Sequence, residues 1–599
     1  MMGQAVRLAG PGSVRRETPP PHAACTLPTR VPCGPLHPLV LRLRGDQDQQ
    51  IRVGVLPEAE EVLTCLGALR EVGRECARAV SWAARAFRAM VGPVPLNRLP
   101  PLVRRAQEYS GRVAVADGSG TCTYGNLSAW SAAVARDLLE DRADLGEARV
   151  VLLAPPGAAY VAGQWGTWMA GGVSVPLSPQ QTPLDWAHIL DDSQAAAAIV
   201  APEHADAFVP LAAARHLRIT STGAATQDVG HGEATWARFP GVGSGRRALM
   251  LYTSGTTSRP KGVVLTHGNL TAQVECLTDA WAWTGDDRAL HVLPLNHTHG
   301  VVNVLACALW SGAVCEFARG FSPADTWRRL ASGEITVFMA VPTIYGRLIA
   351  AWHEATEPGR ATWSAGAARL RLFVSGSAAL PVPVLEEWRA ITGHTLLERY
   401  GMTEIGMALS NPLHGERRPG FVGAPLPGVE VRLVTEAGAD VAGCEPGELL
   451  VRGPGVFREY WGRPDETAAA FAEGGWFRTG DVGARENGAF RILGRMSVDI
   501  IKTGGEKVSA IEIEAVLREH PAIADCAVVG VPDPEWGECV AAVVAWRGPA
   551  TLTLPALRDW ARPRLSGPKL PRRLATVAAL PRNPMGKVVK PELIQLFEA

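Results

Sequence analysis

Lysine is scarce in this sequence, although basic residues are not. Only six of the 59 Lys and Arg residues are lysine: Lys261, Lys502, Lys507, Lys569, Lys587 and Lys590. Arginine therefore serves almost everywhere that a surface cation is needed. A lysine retained against this background suggests a site that needs a compact ammonium with rotatable donors, which a planar guanidinium does not imitate. Lys590 is the exception, and we interpret its identity as coincidence.

Three other absences exclude classes of function. Acids and bases balance at 59 each, so no surface suited to polyanions is expected and nucleic acid is excluded as a partner. The eleven cysteines include no CxxC pair or Cys/His cluster with the spacing of a zinc site, and we expect reduced thiols in an intracellular compartment. Pro, Gly and Gln interrupt the longest apolar run, so no transmembrane helix is predicted.

The chain is too long for one hydrophobic core. Its 599 residues exceed the usual ceiling of about 250–300 residues, so several domains are expected. Residues 1–97 are predicted to be a disordered or targeting extension, because residues 1–45 are rich in Pro and Arg and contain one acid, Glu17. The later stretch "GRECARAVSWAARAFRAMVGP" resembles a mitochondrial transit peptide, although it lies well inside the chain; a surface helix is the alternative. A mitochondrial matrix location is expected, with a cytoplasmic one as the alternative.

From residue 98 onward the pattern is globular. "GRVAVADGSGTCTYGNLSAWSAAVARDLLE" predicts a hairpin followed by an amphipathic helix, and "ARVVLLAPP" a buried strand. Apolar strands such as "ALMLYT", "ITVFMAVP" and "LRLFVSGS" alternate with helical segments, which is typical of parallel α/β architecture with ligands at the carboxyl ends of the strands. Short strands after residue 420 indicate a β-rich subdomain. Residues 496–599 are predicted to be a small α+β domain joined to residues 98–495 by a hinge at 496–498.

The segment "TSGTTSRPKG" has the composition of a phosphate-binding loop. Its small and hydroxylated residues offer backbone N–H groups and hydroxyls beside one ammonium, Lys261. It is not the common P-loop, because Gly262 rather than Ser or Thr follows the lysine. By itself the segment is also compatible with a flexible surface loop.

Six segments in order resemble the AMP-forming adenylating superfamily of acyl-CoA synthetases, luciferases and peptide-synthetase adenylation domains. They are "TSGTTSRPKG", "ERYGMTE", "GWFRTGD", "LGR", "KTGGEKVSAIEIE" and "PRNPMGK". The resemblance covers residues 98–599. It implies an α/β fold with a large N-terminal adenylating domain, made of two α/β lobes plus a β-rich subdomain, and a small mobile α+β C-terminal domain. It also implies ATP, Mg²⁺ and coenzyme A, and a carboxylic acid that is activated as an acyl adenylate before thioester formation.

The resemblance assigns roles around the phosphates. The loop residues expected to wrap the β- and γ-phosphates are Thr253, Ser254, Gly255, Thr256, Thr257 and Lys261. Glu404, with Thr403 beside it, would hold Mg²⁺, a hard cation that prefers carboxylate and phosphate oxygens. Lys587 of the small domain would reach the carboxylate and the α-phosphate, where negative charge gathers in the first step.

The resemblance also assigns a nucleotide site and a thiol path. Tyr400 would stack on adenine beside Glu398 and Arg399, with backbone contacts from Gly376, Ser377 and Ala378; outside this motif we would interpret Tyr400 as a core aromatic. Asp481, otherwise a turn residue, would accept the ribose hydroxyls with help from Arg495. Gly504 and Gly505 would line the pantetheine tunnel after the small domain rotates.

The acid is predicted from segments such as "HVLPLNHTHGVVN" and "VFMAVPTIYGRL", which look most like superfamily members that activate malonate. The free-energy cost of burying a second carboxylate without a partner would be prohibitive, so the site needs a fixed cation or several hydrogen-bond donors. Arg347 is the candidate, with His299, Ser375 and Met402 as further pocket residues; a helix-surface arginine is the alternative. Methylmalonate also has a second carboxylate, so the same argument allows it as a substrate. A medium-chain or aryl acyl-CoA synthetase and an inactive nucleotide-binding homologue stay open, the latter because Ser258 stands where relatives usually have Gly.

Overall fold

The computed structural model describes residues 98–221, 239–253, 260–549, 551–582 and 587–597, together with two short strands nearer the N-terminus. Those strands, β1 (Val40–Leu41) and β2 (Ile51–Arg52), pair antiparallel within a unit of their own, Met1–Pro93. The stretch interpreted as a transit peptide lies outside the described residues. A second unit, Val94–Ala599, contains every other described element.

The strands of the second unit fall into four sheets. In chain order they are β3 (Val113–Asp117), β4 (Gly120–Thr123), β5 (Arg149–Leu153), β6 (Val173–Pro176), β7 (Ala197–Val200), β8 (Arg218–Ser221), β9 (Arg247–Thr253), β10 (Lys261–Thr266), β11 (Arg288–His291), β12 (Val314–Phe317), β13 (Val337–Ala340), β14 (Leu372–Ser375), β15 (Leu397–Met402), β16 (Gly406–Ser410), β17 (Ala424–Pro425), β18 (Glu430–Val434), β19 (Gly447–Arg452), β20 (Glu459–Tyr460), β21 (Phe471–Ala472), β22 (Trp476–Glu486), β23 (Ala489–Arg495), β24 (Ile500–Thr503), β25 (Glu506–Ser509), β26 (Ile523–Asp533), β27 (Gly537–Trp546) and β28 (Arg573–Thr576).

Helices lie between most of these strands. They are α1 (Pro101–Ala106), α2 (Tyr124–Leu139), α3 (Ala158–Met169), α4 (Pro183–Ser193), α5 (Ala205–Ala213), α6 (His267–Ala280), a π-helix (His299–Ala306) that continues into α7 (Cys307–Trp310), α8 (Pro323–Ala331), α9 (Pro342–Glu354), α10 (Glu357–Ala367), α11 (Val382–Thr392), α12 (Pro464–Ala469), α13 (Ala510–Arg518), α14 (Leu554–Ala561) and α15 (Lys590–Ile594). Short 3₁₀ turns occupy Gln107–Tyr109, Pro202–His204, Gly567–Lys569 and Gln595–Phe597.

Two large sheets build the N-terminal domain. One has the order β20-β10-β9-β6-β5-β7-β8, and the other has the order β17-β16-β15-β14-β13-β11-β12-β3-β4. Their central strands run parallel; antiparallel strands lie at one edge of the first sheet and at both edges of the second, whereas β8 pairs parallel at the other edge of the first sheet. Every residue of β13 and β14 is buried, as expected for parallel strands covered on both faces. The carboxyl ends of β9, β14 and β15 deliver the predicted nucleotide-site segments.

Local sequence fixes the element that follows the predicted phosphate loop. The Thr266 side chain accepts from the Asn269 N–H at 3.1 Å, and Asn269 accepts from the Thr266 N–H at 2.9 Å. This reciprocal cap starts α6 directly after β10. Helix α6 then packs Val274 and Leu277 into the main core, which also holds Trp165 and Trp281.

The remaining two sheets are smaller. A five-stranded sheet has the order β18-β19-β22-β21, with β23 paired to β22. The C-terminal sheet has the order β25-β24-β27-β26, with β28 paired parallel to β27. Helix α13 packs on this last sheet and buries Ile513 and Leu517 against Val528 and Val540. The fold is therefore mixed α/β, with a large N-terminal domain and a small α+β C-terminal domain.

The secondary structure predicted from the sequence is confirmed in these segments. The expected hairpin and helix are β3, β4 and α2, and the expected strands include β5, β9, β13 and β14. The described cysteines carry free thiols. Within the described ranges, none of the helices combines the length and the apolar composition needed to cross a bilayer.

Candidate active site

The predicted phosphate loop connects two antiparallel strands. Thr253 ends β9 and Lys261 begins β10, and the two residues pair in the ladder. Ser254, Gly255, Thr256, Thr257 and Ser258 lie between them, outside the described residues. Lys261 Nζ forms an ion pair with Glu466, in the first turn of α12, and lies 5.5 Å from the centroid of the Tyr460 ring. Lys261 thus has a counter-charge and an aromatic ring beside it.

Glu404 is a buried carboxylate on the turn between β15 and β16. Burial raises its pKa, whereas a hydrogen bond from the Tyr460 hydroxyl at 3.0 Å and the charge of Arg495 oppose this change. Thr403, half-buried, directly precedes it. A carboxylate whose charged form is penalised by burial is stabilised by a bound cation. Glu404 therefore fits a hard cation such as Mg²⁺.

Within the described part of the chain, Glu404 is not joined by enough protein ligands to form a metal site. Among the described residues, no group of three or more His, Cys, Asp or Glu side chains is placed to hold a metal ion. Mg²⁺ is commonly held by one or two carboxylates together with phosphate oxygens. A cation at Glu404 would accordingly need the phosphates of a nucleotide.

Tyr400, Asp481 and Arg495 form one hydrogen-bonded group. The Tyr400 hydroxyl donates to Asp481 Oδ2 at 2.6 Å, and Arg495 Nε donates to Asp481 Oδ1 at 3.0 Å. Asp481 on β22 pairs directly with Arg495 on β23. Arg495 Nη2 also donates to the Thr479 carbonyl at 2.7 Å. The structure thus brings together the three residues predicted to bind the nucleoside and orients the carboxylate from both sides.

Gly376, Ser377 and Ala378 follow β14 at its carboxyl end. A Cβ added to Gly376 would lie 2.6 Å from Arg399 Cζ, so only glycine fits beside this guanidinium. Ser377 has a φ of 71°, an uncommon conformation for a residue with a side chain, and its Oγ lies 3.2 Å from His299 Nδ1. Ala378 is exposed. The turn therefore lies against two residues of the predicted site, Arg399 and His299.

Buried polar atoms without partners concentrate at the predicted acyl end. They include Arg399 Nε and Nη2, Ser375 Oγ, His299 Nε2 and both side-chain polar atoms of Asn303. Arg399 is 3% exposed and Ser375 is 0% exposed. Buried polar groups in native proteins are nearly always hydrogen-bonded. Several of these atoms lie together beside the predicted nucleotide site, where they are available as partners for a polar ligand.

The charges in this cluster are perturbed by burial. Burial lowers the pKa of Arg399 to about 9, and the charge of Glu398 offsets only part of this effect. Burial also raises the pKa of Glu398 to about 8, although the Leu380 N–H donates to its Oε1 at 3.0 Å. The pKa of His299 is far below its usual value because the ring is buried and Arg399 is near. The cluster therefore holds a buried guanidinium whose charged form is opposed by burial and is only partly supported by the neighbouring Glu398.

The other two residues predicted for the acid site, Arg347 and Met402, do not belong to this cluster of buried polar atoms. Arg347, on α9, is exposed, and its Cζ lies 4.7 Å from the centroid of the Phe321 ring. Within the described ranges, no hydrogen bond or ion pair joins Arg347 to His299 or Ser375. Met402, at the end of β15, is half-buried and packs against the main core. The structure thus brings His299, Ser375 and Arg399 together and leaves Arg347 on the helix surface.

Lys587 reaches the large domain from the small one. Burial lowers the pKa of its ammonium and the charge of Arg495 lowers it further, against the opposing charges of Asp481, Asp499 and Glu404. The same ammonium adds to the effect of burial in lowering the pKa of His297 to about 4. Lys587 faces the predicted ribose and metal residues at once.

Gly504 and Gly505 form the turn between β24 and β25. Both have positive φ, 59° and 83°, and a Cβ on Gly504 would lie 2.7 Å from the Trp536 ring. The neighbouring Lys507 pairs across the domain boundary with Glu436 at 2.5 Å. This turn therefore needs glycine for its backbone and for its contact with Trp536.

The expectation that Lys590 is a coincidence is wrong. Its Nζ lies 2.6 Å from Asp499 and 2.8 Å from Glu514, and the residue is 8% exposed. Lys569, by contrast, pairs at the surface with Glu512 at 2.6 Å. The buried position of Lys590 could not be predicted from the sequence, because its two partners are distant in the chain. Glu514 lies 76 residues before it and Asp499 lies 91 residues before it.

Tyr460 was also absent from the predicted site. Its hydroxyl bonds to Glu404 and its ring faces Lys261. In sequence it belongs to "FREYWGRPDE", where an aromatic between charged residues is not distinguishable from a surface tyrosine. Its position depends on the antiparallel pairing of β20 with β10, a contact between distant segments.

Comparison with known protein families shows the family to which this chain belongs. The AMP-binding enzyme family model matches residues 102–461, and the model of the AMP-binding enzyme C-terminal domain matches residues 512–587. The chain therefore belongs to the AMP-binding enzyme family, which confirms the resemblance drawn from the six segments.

One relative and two solved structures show which members of this family the chain resembles. The mitochondrial malonate–CoA ligase of Bos taurus is 45% identical over 533 residues, which cover 83% of this chain and 90% of the relative. The crystal structure of ATP-bound MatB from Rhodopseudomonas palustris matches with a TM-score of 0.75 at 33% identity, covering 84% of this chain and 99% of that one. A malonyl-CoA ligase ternary product complex with methylmalonyl-CoA and AMP bound matches with a TM-score of 0.59 at 37% identity, covering 81% and 100%.

Proposed function

We propose that this chain is an ATP-dependent malonate–CoA ligase. It activates malonate as an acyl adenylate with release of pyrophosphate, and then transfers the acyl group to coenzyme A with release of AMP. Methylmalonate is the proposed second substrate. The bovine relative is named a malonate–CoA ligase and the ternary complex holds methylmalonyl-CoA and AMP, which supports this assignment.

The first step needs positive charge around the phosphates, because a carboxylate attacks the α-phosphate of ATP. The loop from Thr253 to Thr257, with Lys261, binds the β- and γ-phosphates. Lys587 binds the attacking carboxylate and the α-phosphate, where negative charge accumulates. Its position opposite Asp481 and Glu404 supports this role, since those residues flank the proposed ribose and metal sites.

Glu404 holds Mg²⁺ in this proposal, with Thr403 beside it. The ion supplies charge neutralisation for the phosphates. Tyr460 orients the Glu404 carboxylate through its hydroxyl. The burial of Glu404 and its raised pKa support the assignment, since a bound cation would favour the ionised carboxylate.

The nucleoside is held by residues that the structure places together. Asp481 accepts the ribose hydroxyls and is itself oriented by Tyr400 and Arg495. The Tyr400 ring stacks on adenine, and the backbone from Gly376 to Ala378 lines the opposite side. Glu398 supports this arrangement by accepting the Leu380 N–H, which fixes the chain that follows the 376–378 turn.

The second step requires access for a thiol. We assign the domain boundary to residues 495 and 496 and a hinge to residues 496–498, so that the small domain rotates and exchanges Lys587 for the turn at Gly504 and Gly505. That turn then lines the path of the pantetheine arm. The surface position of the Lys507–Glu436 pair supports a reversible docking, because water screens exposed ion pairs.

The buried guanidinium of Arg399 is the observation that carries the choice of a diacid. It has two unpartnered nitrogen atoms, its residue is 3% exposed, and His299 and Ser375 present further unpartnered atoms. A carboxylate is the ligand that a buried arginine binds best. A fatty or aryl tail in the same place would leave this charge buried and unpaired, which is costly. Arg347, exposed on α9, is proposed only as a secondary contact for the acid, and Met402 forms a wall of the pocket.

A mitochondrial location is proposed with this function. The bovine relative is named as mitochondrial, and the Arg-rich stretch upstream of residue 98 has the composition of a transit peptide. A fluorescent fusion of residues 1–97 should direct a reporter to mitochondria, and a cytoplasmic signal would favour the alternative.

An acid panel tests the proposed function. Purified protein would receive ATP, Mg²⁺ and coenzyme A with malonate, methylmalonate, acetate, octanoate or ferulate, and pyrophosphate release would be measured. We expect the highest kcat/KM with malonate. Higher kcat/KM with octanoate or ferulate would make the chain a medium-chain or aryl ligase. ATP binding without turnover of any acid would make it an inactive homologue, as Ser258 in the phosphate loop permits.

A further inference from the structure

The segment that carries Lys587 is fixed at its base. Arg582 and Val588 form an antiparallel bridge, and the Val589 N–H donates to the Pro581 carbonyl at 2.9 Å. Residues 583–586 lie outside the described residues. Lys590 begins α15 three residues after Lys587. The ends of this segment therefore have defined partners, and those partners determine where Lys587 is presented.

Lys590 anchors the end of the segment inside the small domain. Its Nζ contacts Asp499 Oδ1 at 2.6 Å and Glu514 Oε1 at 2.8 Å, and the Lys590 and Glu514 side chains are both 9% exposed. Burial by itself would lower the pKa of Lys590, but the two carboxylates outweigh it and the pKa is raised. The Val528 N–H also donates to Glu514 Oε1 at 2.9 Å. Lys590 is therefore a charged, well-partnered buried group.

Asp499 extends this anchor across the proposed hinge. Its second oxygen, Oδ2, accepts the Arg495 N–H at 3.0 Å, so one carboxylate joins Lys590 to the last residue of β23. Arg495 in turn binds Asp481, the proposed ribose ligand. Asp499 thus connects the Lys587 segment to the proposed nucleotide site, because it contacts both Lys590 and the backbone of Arg495.

The start of the segment belongs to the same ionic chain. Arg582 Nη2 lies 2.5 Å from Asp525 Oδ2, and Asp525 pairs with Arg518 at 3.4 Å. Arg518 lies 3.3 Å from Glu514 Oε2 and so closes the connection to Lys590. Charges alternate along the whole chain of side chains: Asp499, Lys590, Glu514, Arg518, Asp525 and Arg582. Both ends of the Lys587 segment are held by one network.

We propose that Lys590 is a positioning residue for Lys587: its buried pairs with Asp499 and Glu514 set where the Lys587 ammonium stands during adenylate formation. The inference rests on the proposed function of Lys587. A buried ion pair stabilises a protein little compared with apolar residues of the same size, but it fixes geometry. Misplacing a group by about 1 Å can cost about 10²-fold in rate, so fixed geometry matters at this point.

Single-turnover measurements on the full chain separate the two steps. Adenylate formation is followed with acid and ATP in the absence of coenzyme A, and thioester formation is followed after coenzyme A is added to the enzyme-held adenylate. We expect Lys590→Met to slow adenylate formation by about 10²-fold, to change thioester formation by less than about threefold, and to leave ATP affinity unchanged. Lys590→Arg should recover much of the rate, because it restores the charge.

Two control variants distinguish a positioning role of Lys590 from an effect of its replacement on folding. Lys569→Met removes a surface lysine of the same domain that pairs with Glu512, and it should leave both steps unchanged. A triple variant, Lys590→Met with Asp499→Asn and Glu514→Gln, removes the uncompensated charges and should recover thermal stability while adenylate formation stays slow. If the triple variant recovers both stability and rate, or if folded Lys590→Met loses both steps equally, Lys590 has only a structural role and the inference fails.

The Lys587→Met variant distinguishes a failure of the inference about Lys590 from a failure of the proposed function. Fast adenylate formation by Lys587→Met would overturn the role of Lys587 and leave Lys590 nothing to position. Slow adenylate formation by Lys587→Met combined with the parent rate for Lys590→Met would overturn the inference alone.

Discussion

The large and small domains treat buried charges in opposite ways. In the large domain Arg399 has unpartnered nitrogen atoms and a pKa lowered to about 9 by burial. In the small domain Lys590 is also buried, but two carboxylates raise its pKa. The penalty of burial is common to both, so the difference lies in the partners. A buried charge without partners marks a place for a ligand, whereas one with partners holds the protein's own geometry.

Stability measurements test this contrast most strongly. Lys590→Met leaves Asp499 without its ammonium partner and leaves Glu514 with Arg518 as its remaining cation, and it should lower the free energy of unfolding of the small domain by up to about 3–5 kcal/mol. Arg399→Met removes an unpaired buried charge and should leave stability unchanged or raise it. Hydrogen exchange in increasing urea would locate the change in each domain. Equal losses for both variants would show that Arg399 has protein partners after all.

Acid specificity gives the next largest effect. Arg399→Met removes the cation proposed for the second carboxylate of malonate, and kcat/KM for malonate should fall by about 10²-fold, as expected for losing a buried charge-assisted contact. Activity with acetate should change little, because acetate has no second carboxylate. Arg347→Leu is the matched control, since its exposed side chain should affect malonate KM only a few-fold. A larger loss for Arg347→Leu than for Arg399→Met would return the diacid assignment to Arg347.

For a change of one pH unit, the pH dependence of stability gives the smallest effect. The pKa of Glu398 is raised to about 8 in the folded protein, against about 4.3 for an unperturbed glutamate. Between these values the unfolded chain has lost the proton and the folded chain retains it, so stability falls as pH rises. The slope from this group is at most about 1.4 kcal/mol per pH unit. Thermal unfolding of Glu398→Gln should therefore depend less on pH between 5 and 8; identical profiles would show that Glu398 ionises normally.

Much of the fold could be predicted because its signals are local. Apolar runs followed by small residues identified strands such as β13 and β14, and the Thr266 cap lies within four residues of its partner. Asp481 and Tyr400 were identified by recurring motifs. Their direct hydrogen bond, which shows that Asp481 is oriented from two sides, was not predictable, since it joins residues 81 positions apart.

What the sequence did not reveal depends on pairing between distant segments. Tyr460 reaches Glu404 because β20 joins the edge of the first sheet, and Lys590 reaches Asp499 because the C-terminal helix returns to the hinge. Arg399 was predicted as a nucleotide-site residue from its motif. Its lack of partners, on which the diacid assignment depends, is visible only once the side chains around it are placed.

The ion pair between Lys261 and Glu466 has a consequence for nucleotide binding. Because the ammonium already has an anionic neighbour, an arriving phosphate would displace Glu466 instead of neutralising a bare cation. The net electrostatic gain on ATP binding at this residue is thereby reduced. The same exchange works in reverse when pyrophosphate departs, since Glu466 can resume its place, and product retention at the loop is correspondingly weakened.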